Sequence, residues 1–136
     1  MARLLLTTTD YSRLRKSALR AQLYGQATMP LVTALLDSVN AATVIEPSDM
    51  PPDVVTMNSV VRIRYVHENR RQDIRLVYPE VADVRQHFIS ILTPMALSLL
   101  GRKVGDTLFL DAYPCTVPIC IEQIVYQPET AESYCL

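Results

Sequence analysis

Three basic side chains lie at helical spacing near the start of this chain of 136 residues. Arg13, Lys16 and Arg20 occupy positions i, i+3 and i+7, which places them along one side of an α-helix. A row of cations of this kind can contact an acidic protein groove or nucleic acid, or it can be a solvated helix face. The sequence leaves both interpretations open, and we call this row the basic stripe.

Residues with the chemistry for catalysis or metal binding form no functional pattern in the sequence. His67 and His87 lie 20 positions apart, and neither adjoins a cysteine, so metal-ligand spacing is absent. There is no G-x-S-x-G motif, and Gly25, Gly101 and Gly105 stand at the ends of predicted elements and not in a phosphate-binding loop. We therefore expect a protein that is not an enzyme and that carries no cofactor or metal.

Composition predicts a small globular protein. Hydrophobic residues make up 49% of the chain and charged residues 20%, which supplies a core and argues against intrinsic disorder. Lysine and arginine number 13 against 14 acidic residues, a net charge of -1. Proteins that bind nucleic acid through their overall field are strongly basic, so we expect no direct sequence-specific binding to DNA.

The sequence predicts a cytoplasmic protein without a membrane segment. The apolar run at residues 4–6 is far shorter than the roughly 7–15 apolar residues of a signal peptide or the about 20 of a membrane span. The three cysteines, Cys115, Cys120 and Cys135, form no C-x-x-C pair, and their odd number cannot close a disulfide framework. We interpret them as small apolar side chains.

Two amphipathic helices are predicted in residues 1–45. Thr9 or Asp10 can cap the first helix and Gly25 ends it, and Thr28 can cap the second. The apolar positions recur at heptad-like spacing, namely Tyr11, Leu14, Ala18 and Ala21, then Val32, Leu35, Val39 and Ala42. The pattern predicts a short antiparallel helical hairpin.

Residues 46–136 are predicted to form a second domain, which begins with a proline-rich linker at residues 46–53. The hydrophobic period changes from 3.6 to 2, which predicts a β-hairpin with one apolar and one arginine-bearing face over residues 60–78. Further strands are predicted at residues 88–92, 107–111 and 116–126, the last with a β-bulge near Glu122 and Gln123. A short helix over residues 95–100 completes an α+β fold with an antiparallel sheet.

Several separated segments of the predicted second domain resemble the Gre family of transcript-cleavage factors, and in particular its branch of regulators of nucleoside diphosphate kinase. The matching segments follow one another in the family's order. They are residues 50–59 (MPPDVVTMNS), 78–83 (YPEVAD), 92–106 (LTPMALSLLGRKVGD), 126–129 (YQPE) and 134–136 (YCL). The resemblance is close over residues 45–136. In the N-terminal region it is limited to the arrangement of two helices and does not extend to their residues.

The resemblance implies an FKBP-like fold for residues 46–136 and a role as a transcription regulator that binds RNA polymerase near its secondary channel. In this family the helical hairpin projects toward that channel. Leu92, Thr93, Pro94 and Met95 match the part of Gre factors that touches the polymerase rim. Gre factors have serine before this proline, often preceded by an acid, where this chain has Thr93 and Leu92.

The hairpin tip departs from the Gre pattern. Gre factors carry acidic residues there, which help to hold a catalytic Mg²⁺ in the polymerase, because a hard dication prefers charged oxygen ligands. Residues 25–28 contain no acid, and the nearest are Asp10 and Asp37. The resemblance therefore implies a regulator that binds polymerase without stimulating cleavage and competes with Gre factors.

Two alternative functions stay open at this point. An adaptor could act directly on nucleoside diphosphate kinase or another protein without binding polymerase. A peptidyl-prolyl isomerase is suggested by fold alone, but such pockets are lined by aromatic residues, and this chain has no tryptophan and only two phenylalanines, Phe88 and Phe109.

Overall fold

The computed structural model describes residues 4–25, 28–112 and 115–131. A pair of helices lies beside a five-stranded sheet that carries one further short helix. The helices are α1 (Thr8–Tyr24), α2 (Met29–Asn40) and α3 (Pro94–Leu99). The strands are β1 (Leu5–Thr7), β2 (Thr43–Ile45), β3 (Val60–Tyr65), β4 (Arg70–Val77), β5 (Phe88–Ser90), β6 (Thr107–Ala112) and β7 (Cys115–Tyr126). The predicted α+β class with an N-terminal helical hairpin is confirmed.

The large sheet has the strand order β5-β4-β3-β7-β6 and is mixed, whereas the sequence analysis expected an antiparallel sheet. β5 runs parallel to β4, and the other neighbouring strands are antiparallel. The reason is the connection after β4. Two short 3₁₀ helices, Pro79–Val81 and Val84–Gln86, carry the chain back along the strand before β5 begins, where a tight hairpin would have reversed it.

The predicted β-bulge in β7 is confirmed. Arg62 pairs with Gln123 while its neighbour Ile63 pairs with Ile121, which leaves Glu122 as the extra residue. The bulge keeps Ile121 on the buried face and lets Ile124 return to the side that packs against the core.

Strands β1 and β2 were missed by the sequence analysis. They flank the helical hairpin and pair in parallel, with Leu5 opposite Thr43 and Thr7 opposite Ile45. The pairing also places the start of α1 earlier than the sequence predicted. Thr7 is the N-cap, and its hydroxyl accepts a hydrogen bond from the Asp10 backbone N–H at 3.1 Å. The prediction that Thr9 or Asp10 caps the helix was therefore wrong, because pairing with β2 fixes the preceding backbone as extended.

The predicted linker at residues 46–53 is packed against the C-terminal segment. Met50 is buried, and the Gln127 side chain donates hydrogen bonds of 2.8 Å to the carbonyl oxygens of Pro51 and Val54. Proline prevents a regular helix here but leaves carbonyl groups that the Gln127 amide satisfies.

A single hydrophobic cluster includes residues of the hairpin and of the sheet. Leu14 and Leu35 of the two helices belong to the same buried cluster as Ile63, Leu76 and Ile121 of the sheet, and all five are fully buried. The division into residues 1–45 and 46–136 stays a prediction.

A glycine pair tests the packing of the N-terminal segment on the sheet domain. Gly101 has φ +80 and a Cβ added there would collide with the Leu4 side chain, whereas Gly105 has φ +96 and open space around it. We expect Gly101→Ala and Gly105→Ala each to cost about 1 kcal/mol of backbone strain, and Gly101→Ala to cost more because of the collision. Urea unfolding of both variants measures the difference, and Leu4→Ala combined with Gly101→Ala should remove the excess. Equal losses in the two single variants would contradict this packing.

Candidate binding groove and docking surface

A groove of about 560 Å³ lies between α1 and the sheet. One wall is the side of α1 that carries the basic stripe, and the other comes from β4, β5 and the turn between them. The lining residues are Arg13, Lys16, Ser17, Arg20, Asn58, Arg75, Val77, Tyr78, Glu80, Val81 and Phe88. The spacing of residues 13, 16 and 20 predicted the basic stripe. The pairing of β4 with β5, which sets Arg75 opposite Phe88, places both residues in the other wall.

The three members of the basic stripe have different surroundings. The Arg13 guanidinium lies over the Tyr78 ring, 4.3 Å from its centroid, and Arg13 is half-buried. Arg20 forms an ion pair with Glu80 at 3.6 Å, in which both side chains are more than half exposed. Lys16 lies exposed between them. The sequence left open whether the basic stripe is simply a solvated helix face. Arg13 is not solvated in this way, because it is half-buried against Tyr78.

Arg75 extends the positive charge from α1 onto the sheet. Its guanidinium lies 5.4 Å from the centroid of Phe88 and 5.5 Å from that of Tyr126. The buried Arg75 Nε has no hydrogen-bond partner among the described residues. The guanidinium is therefore held by ring contacts, and its buried Nε is left without a hydrogen-bond partner among the described residues.

A buried carboxyl joins α1 to the turn after β4. The Tyr78 hydroxyl donates a hydrogen bond to Asp10 Oδ1 at 3.2 Å, and the Met57 backbone N–H also donates to this carboxyl. Burial, reinforced by the nearby Glu129 carboxyl, raises the pKa of Asp10 from 3.8 to about 7, against the smaller opposing effects of Tyr78, Arg13 and Met57. Asp10 therefore links α1 to the turn after β4 through these hydrogen bonds. The prediction that it caps the helix did not include this role.

A second buried polar group lies beside this junction. The Thr56 hydroxyl donates to Glu129 Oε2 at 3.0 Å and contacts the Ser59 hydroxyl at 2.8 Å. Burial raises the pKa of Glu129. It also raises the pKa of Tyr78, with the Asp10 carboxyl as the next cause, so Tyr78 stays a neutral hydrogen-bond donor. Burial therefore favours the uncharged form of both carboxyls at the base of the hairpin.

The four predicted docking residues form the start of α3. Thr93 caps the helix: its hydroxyl accepts from the Ala96 N–H at 3.4 Å and donates to the Ser90 carbonyl at 2.8 Å. Pro94 is exposed, whereas Leu92, Thr93 and Met95 are half-buried, with Leu92 and Met95 packed on the core. The exposed part of the predicted docking surface is therefore centred on Pro94.

The described part of the hairpin end is apolar at its surface. Leu23, Tyr24 and Met29 are all more than half exposed. Residues 26 and 27 of the predicted tip lie outside the described residues. Asp and Glu are absent from residues 11–36 of the sequence, so the carboxyl groups that coordinate a metal in the Gre pattern are missing from this stretch.

His67, His87 and Cys120 are not among the residues that line the groove. The described residues contain no cluster of three or more His, Cys, Asp or Glu side chains that could hold a metal ion. His67 and His87 are both exposed, and Cys120 is a half-buried free thiol. Cys135 and the side chain of Cys115 lie outside what the structure describes. In the part of the chain that it does describe, no helix has the length and apolar character needed to cross a bilayer.

The sheet domain and its α3 junction define the class of the protein. Residues 50–125 match the family model of the C-terminal domain of the transcription elongation factors GreA/GreB. The chain belongs to the GreA/GreB family of bacterial transcription factors, as the resemblance in sequence indicated.

Individual relatives refine this assignment. The chain is 35% identical over 112 residues to the regulator of nucleoside diphosphate kinase of Escherichia coli K12, covering 81% of this chain and 82% of the relative. It is 31% identical to the transcription elongation factor GreA of Acidiphilium cryptum, covering 60% of this chain and 52% of that factor. A solved structure of a GreA/GreB elongation factor from Nitrosomonas europaea superposes with a TM-score of 0.76 at 29% identity, covering 93% of this chain and 100% of that one.

The raised pKa of Asp10 predicts the pH dependence of stability. The unfolded chain loses this proton near pH 3.8 and the folded chain near 7, so between these values only the folded state holds it. Raising the pH across this window therefore destabilises the fold, by at most about 1.4 kcal/mol per pH unit from this group. Glu129 acts in the same direction.

Asp10→Asn keeps an acceptor for Tyr78 and Met57 but removes the titrating group. We expect it to flatten the decline between pH 5 and pH 7.5 and to be more stable than the unaltered protein at pH 7.5, as measured by urea unfolding. Asp37→Asn, at an exposed position on α2, is the matched control and should leave the slope unchanged. Stability of the unaltered protein that rises with pH over this range would contradict the assignment.

Proposed function

We propose that this protein is a cytoplasmic regulator of transcription that binds RNA polymerase near its secondary channel, does not stimulate transcript cleavage, and competes there with Gre factors. The observation that carries the proposal is the combination of a GreA/GreB C-terminal domain with a hairpin that has no carboxylate between Asp10 and Asp37. The domain supplies a docking platform, and the hairpin lacks the oxygen ligands that a catalytic Mg²⁺ would need.

The size of the hairpin supports this proposal. α1 has 17 residues and α2 has 12, which correspond to about 26 Å and about 18 Å of helix. β1 and β2 pair at the base, so the hairpin is a short projection with an apolar end. Such an element can occupy a channel entrance and exclude another factor without delivering carboxylates to an active centre.

The docking surface is proposed to be the start of α3. Pro94 is exposed at the first position of the helix, and the Thr93 hydroxyl bridges the Ser90 carbonyl and the Ala96 N–H. Leu92 and Met95, on either side of the Thr93–Pro94 pair in sequence, pack against the core. The exposed Pro94 ring is apolar and has little conformational freedom to lose. A contact between this ring and a partner surface therefore costs little side-chain entropy.

The basic stripe is proposed to steer the hairpin toward the polymerase. Lys16 and Arg20 are exposed, and the whole protein is close to neutral, so these charges create a local field that the net charge does not. Exposed charges mainly raise the association rate and are screened over about 8 Å at physiological salt. Arg13, which packs on Tyr78, belongs to the fold and contributes less to this field.

A second candidate function is supported by the relative's name. The Escherichia coli protein that shares 35% identity is called a regulator of nucleoside diphosphate kinase, so an adaptor that acts on that kinase without polymerase is the alternative. Purified polymerase and purified kinase, each tested for direct binding, separate the two functions.

The proposed function predicts competition without cleavage. Added to backtracked elongation complexes, the purified protein should leave the transcript intact, because it brings no carboxylate pair for Mg²⁺. Added together with a cleavage-competent Gre factor, it should slow cleavage in proportion to its concentration. Shortening of the transcript by this protein alone, or cleavage by the Gre factor that is unaffected at saturating concentration, would contradict the proposal.

Binding kinetics on immobilised polymerase should distinguish the two proposed surfaces. Pro94→Glu, which a helix N-terminus tolerates, should weaken binding roughly tenfold, about 1.4 kcal/mol, mainly through faster dissociation. Lys16→Gln with Arg20→Gln should slow association roughly threefold to tenfold at low salt and make its salt dependence shallower.

Each variant has a control of equal charge change. Phe109→Glu introduces a carboxylate at an exposed apolar site on β6, and Arg15→Gln with Lys103→Gln removes two exposed cations away from the stripe. Both controls should bind as the unaltered protein does. If either control changes the kinetics as much as its partner variant, the corresponding surface lies elsewhere.

A further inference from the structure

The groove between α1 and the sheet carries a strong local excess of positive charge. Four cationic side chains line it, Arg13, Lys16, Arg20 and Arg75, against the single carboxylate of Glu80. The Arg20–Glu80 ion pair is exposed and weak, so it does not cancel the charge of the groove. In a protein with a net charge of -1, this concentration of cations in one concave site favours an anionic occupant.

The cations on α1 form a row. Lys16 and Arg20, beyond Arg13, lie about 6 Å apart along the helix axis, which lets neighbouring phosphate groups of one chain meet both side chains. Lys16 and Arg20 have exposed ends, and lysine and arginine are the side chains that bind phosphate oxygens most strongly. This wall of the groove suits a phosphate chain better than a single carboxylate.

The opposite wall carries aromatic and cationic side chains. Phe88 is half-buried with its ring 5.4 Å from the Arg75 guanidinium, which also contacts Tyr126 and keeps an unsatisfied Nε. Aromatic rings and guanidinium planes are the surfaces on which nucleobases stack. A ligand that satisfies both walls therefore has a planar ring at one end and phosphates at the other.

We propose that this groove binds a nucleoside diphosphate or triphosphate, with its phosphates along Lys16 and Arg20 and its base against Phe88 and Arg75. The volume of about 560 Å³ lies in the range of small-molecule sites, which favours a single nucleotide over a polymer. Binding would oppose the positive field of the basic stripe, so an occupied groove steers the hairpin less strongly than an empty one. The site itself needs no polymerase, and this proposal can fail while the proposed function stands.

Calorimetric titration of the full chain, without polymerase, tests the proposal with ATP and GTP as probes. Adenosine, guanosine and inorganic tripolyphosphate separate the contributions of base and phosphate. We expect a nucleoside triphosphate to bind at least about tenfold more tightly than either nucleoside and about fivefold more tightly than tripolyphosphate, because both walls contribute. No heat of binding up to millimolar nucleotide, or equal affinity for tripolyphosphate and nucleotide, would overturn the proposal.

Variants locate the site. Lys16→Gln with Arg20→Gln should weaken the binding of both nucleotide and tripolyphosphate about tenfold. Arg15→Gln with Lys103→Gln removes the same charge elsewhere and should weaken the binding of neither.

Phe88→Leu keeps an apolar side chain and should weaken nucleotide binding about fivefold while leaving tripolyphosphate binding unchanged. Far-UV circular dichroism confirms that each variant is folded. Nucleotide binding that is equally sensitive to both charge pairs, or insensitive to Phe88→Leu, would show that the groove does not hold the base and phosphates as proposed.

Discussion

The contact between Asp10 and Tyr78 is the constraint on which the arrangement of helix and sheet depends. A carboxyl at the start of α1 is buried against the turn after β4, where the Tyr78 hydroxyl and the Met57 N–H donate to it. Burying a carboxyl is costly unless its oxygens are hydrogen-bonded, so the contact specifies one position of α1 relative to the sheet. The same tyrosine ring also carries the Arg13 guanidinium, and a single side chain therefore fixes two successive turns of the helix.

This contact gives α1 two different interfaces. Leu14 and Ala18 face the shared hydrophobic core, whereas Asp10 and Arg13 face the turn after β4. Arg20 continues the second interface through its ion pair with Glu80. Charged side chains on this second side of α1 line the groove, whereas the apolar side of the helix belongs to the core.

Local patterns predicted most of the sheet, whereas contacts between remote segments could not be predicted. Alternating residues indicated β3, β4 and the bulge at Glu122, because a period of 2 is a property of each strand by itself. β1 and β2 have three residues each, too few for a periodic signal, and they form because the hairpin brings their backbones together. From the sequence alone, Asp10 is as good a candidate for a helix cap as for a buried partner of Tyr78. The position of Arg75 opposite the basic stripe depends on strand register, which the sequence pattern does not give. The YPEVAD motif at residues 78–83 did mark Tyr78, although not its partner.

The parallel pairing of β1 with β2 makes the hairpin a closed frame. The two helices are joined through residues 25–28 at one end and through backbone hydrogen bonds between their flanking strands at the other, including Thr43 N–H to the Leu4 carbonyl at 2.8 Å. Helices held at both ends resist spreading apart, so a load applied at the apolar end is transmitted along the frame to its base. There the frame adjoins the Tyr78–Asp10 hydrogen bond and the close approach of Leu4 to Gly101, so the hairpin and the sheet are coupled at these two contacts.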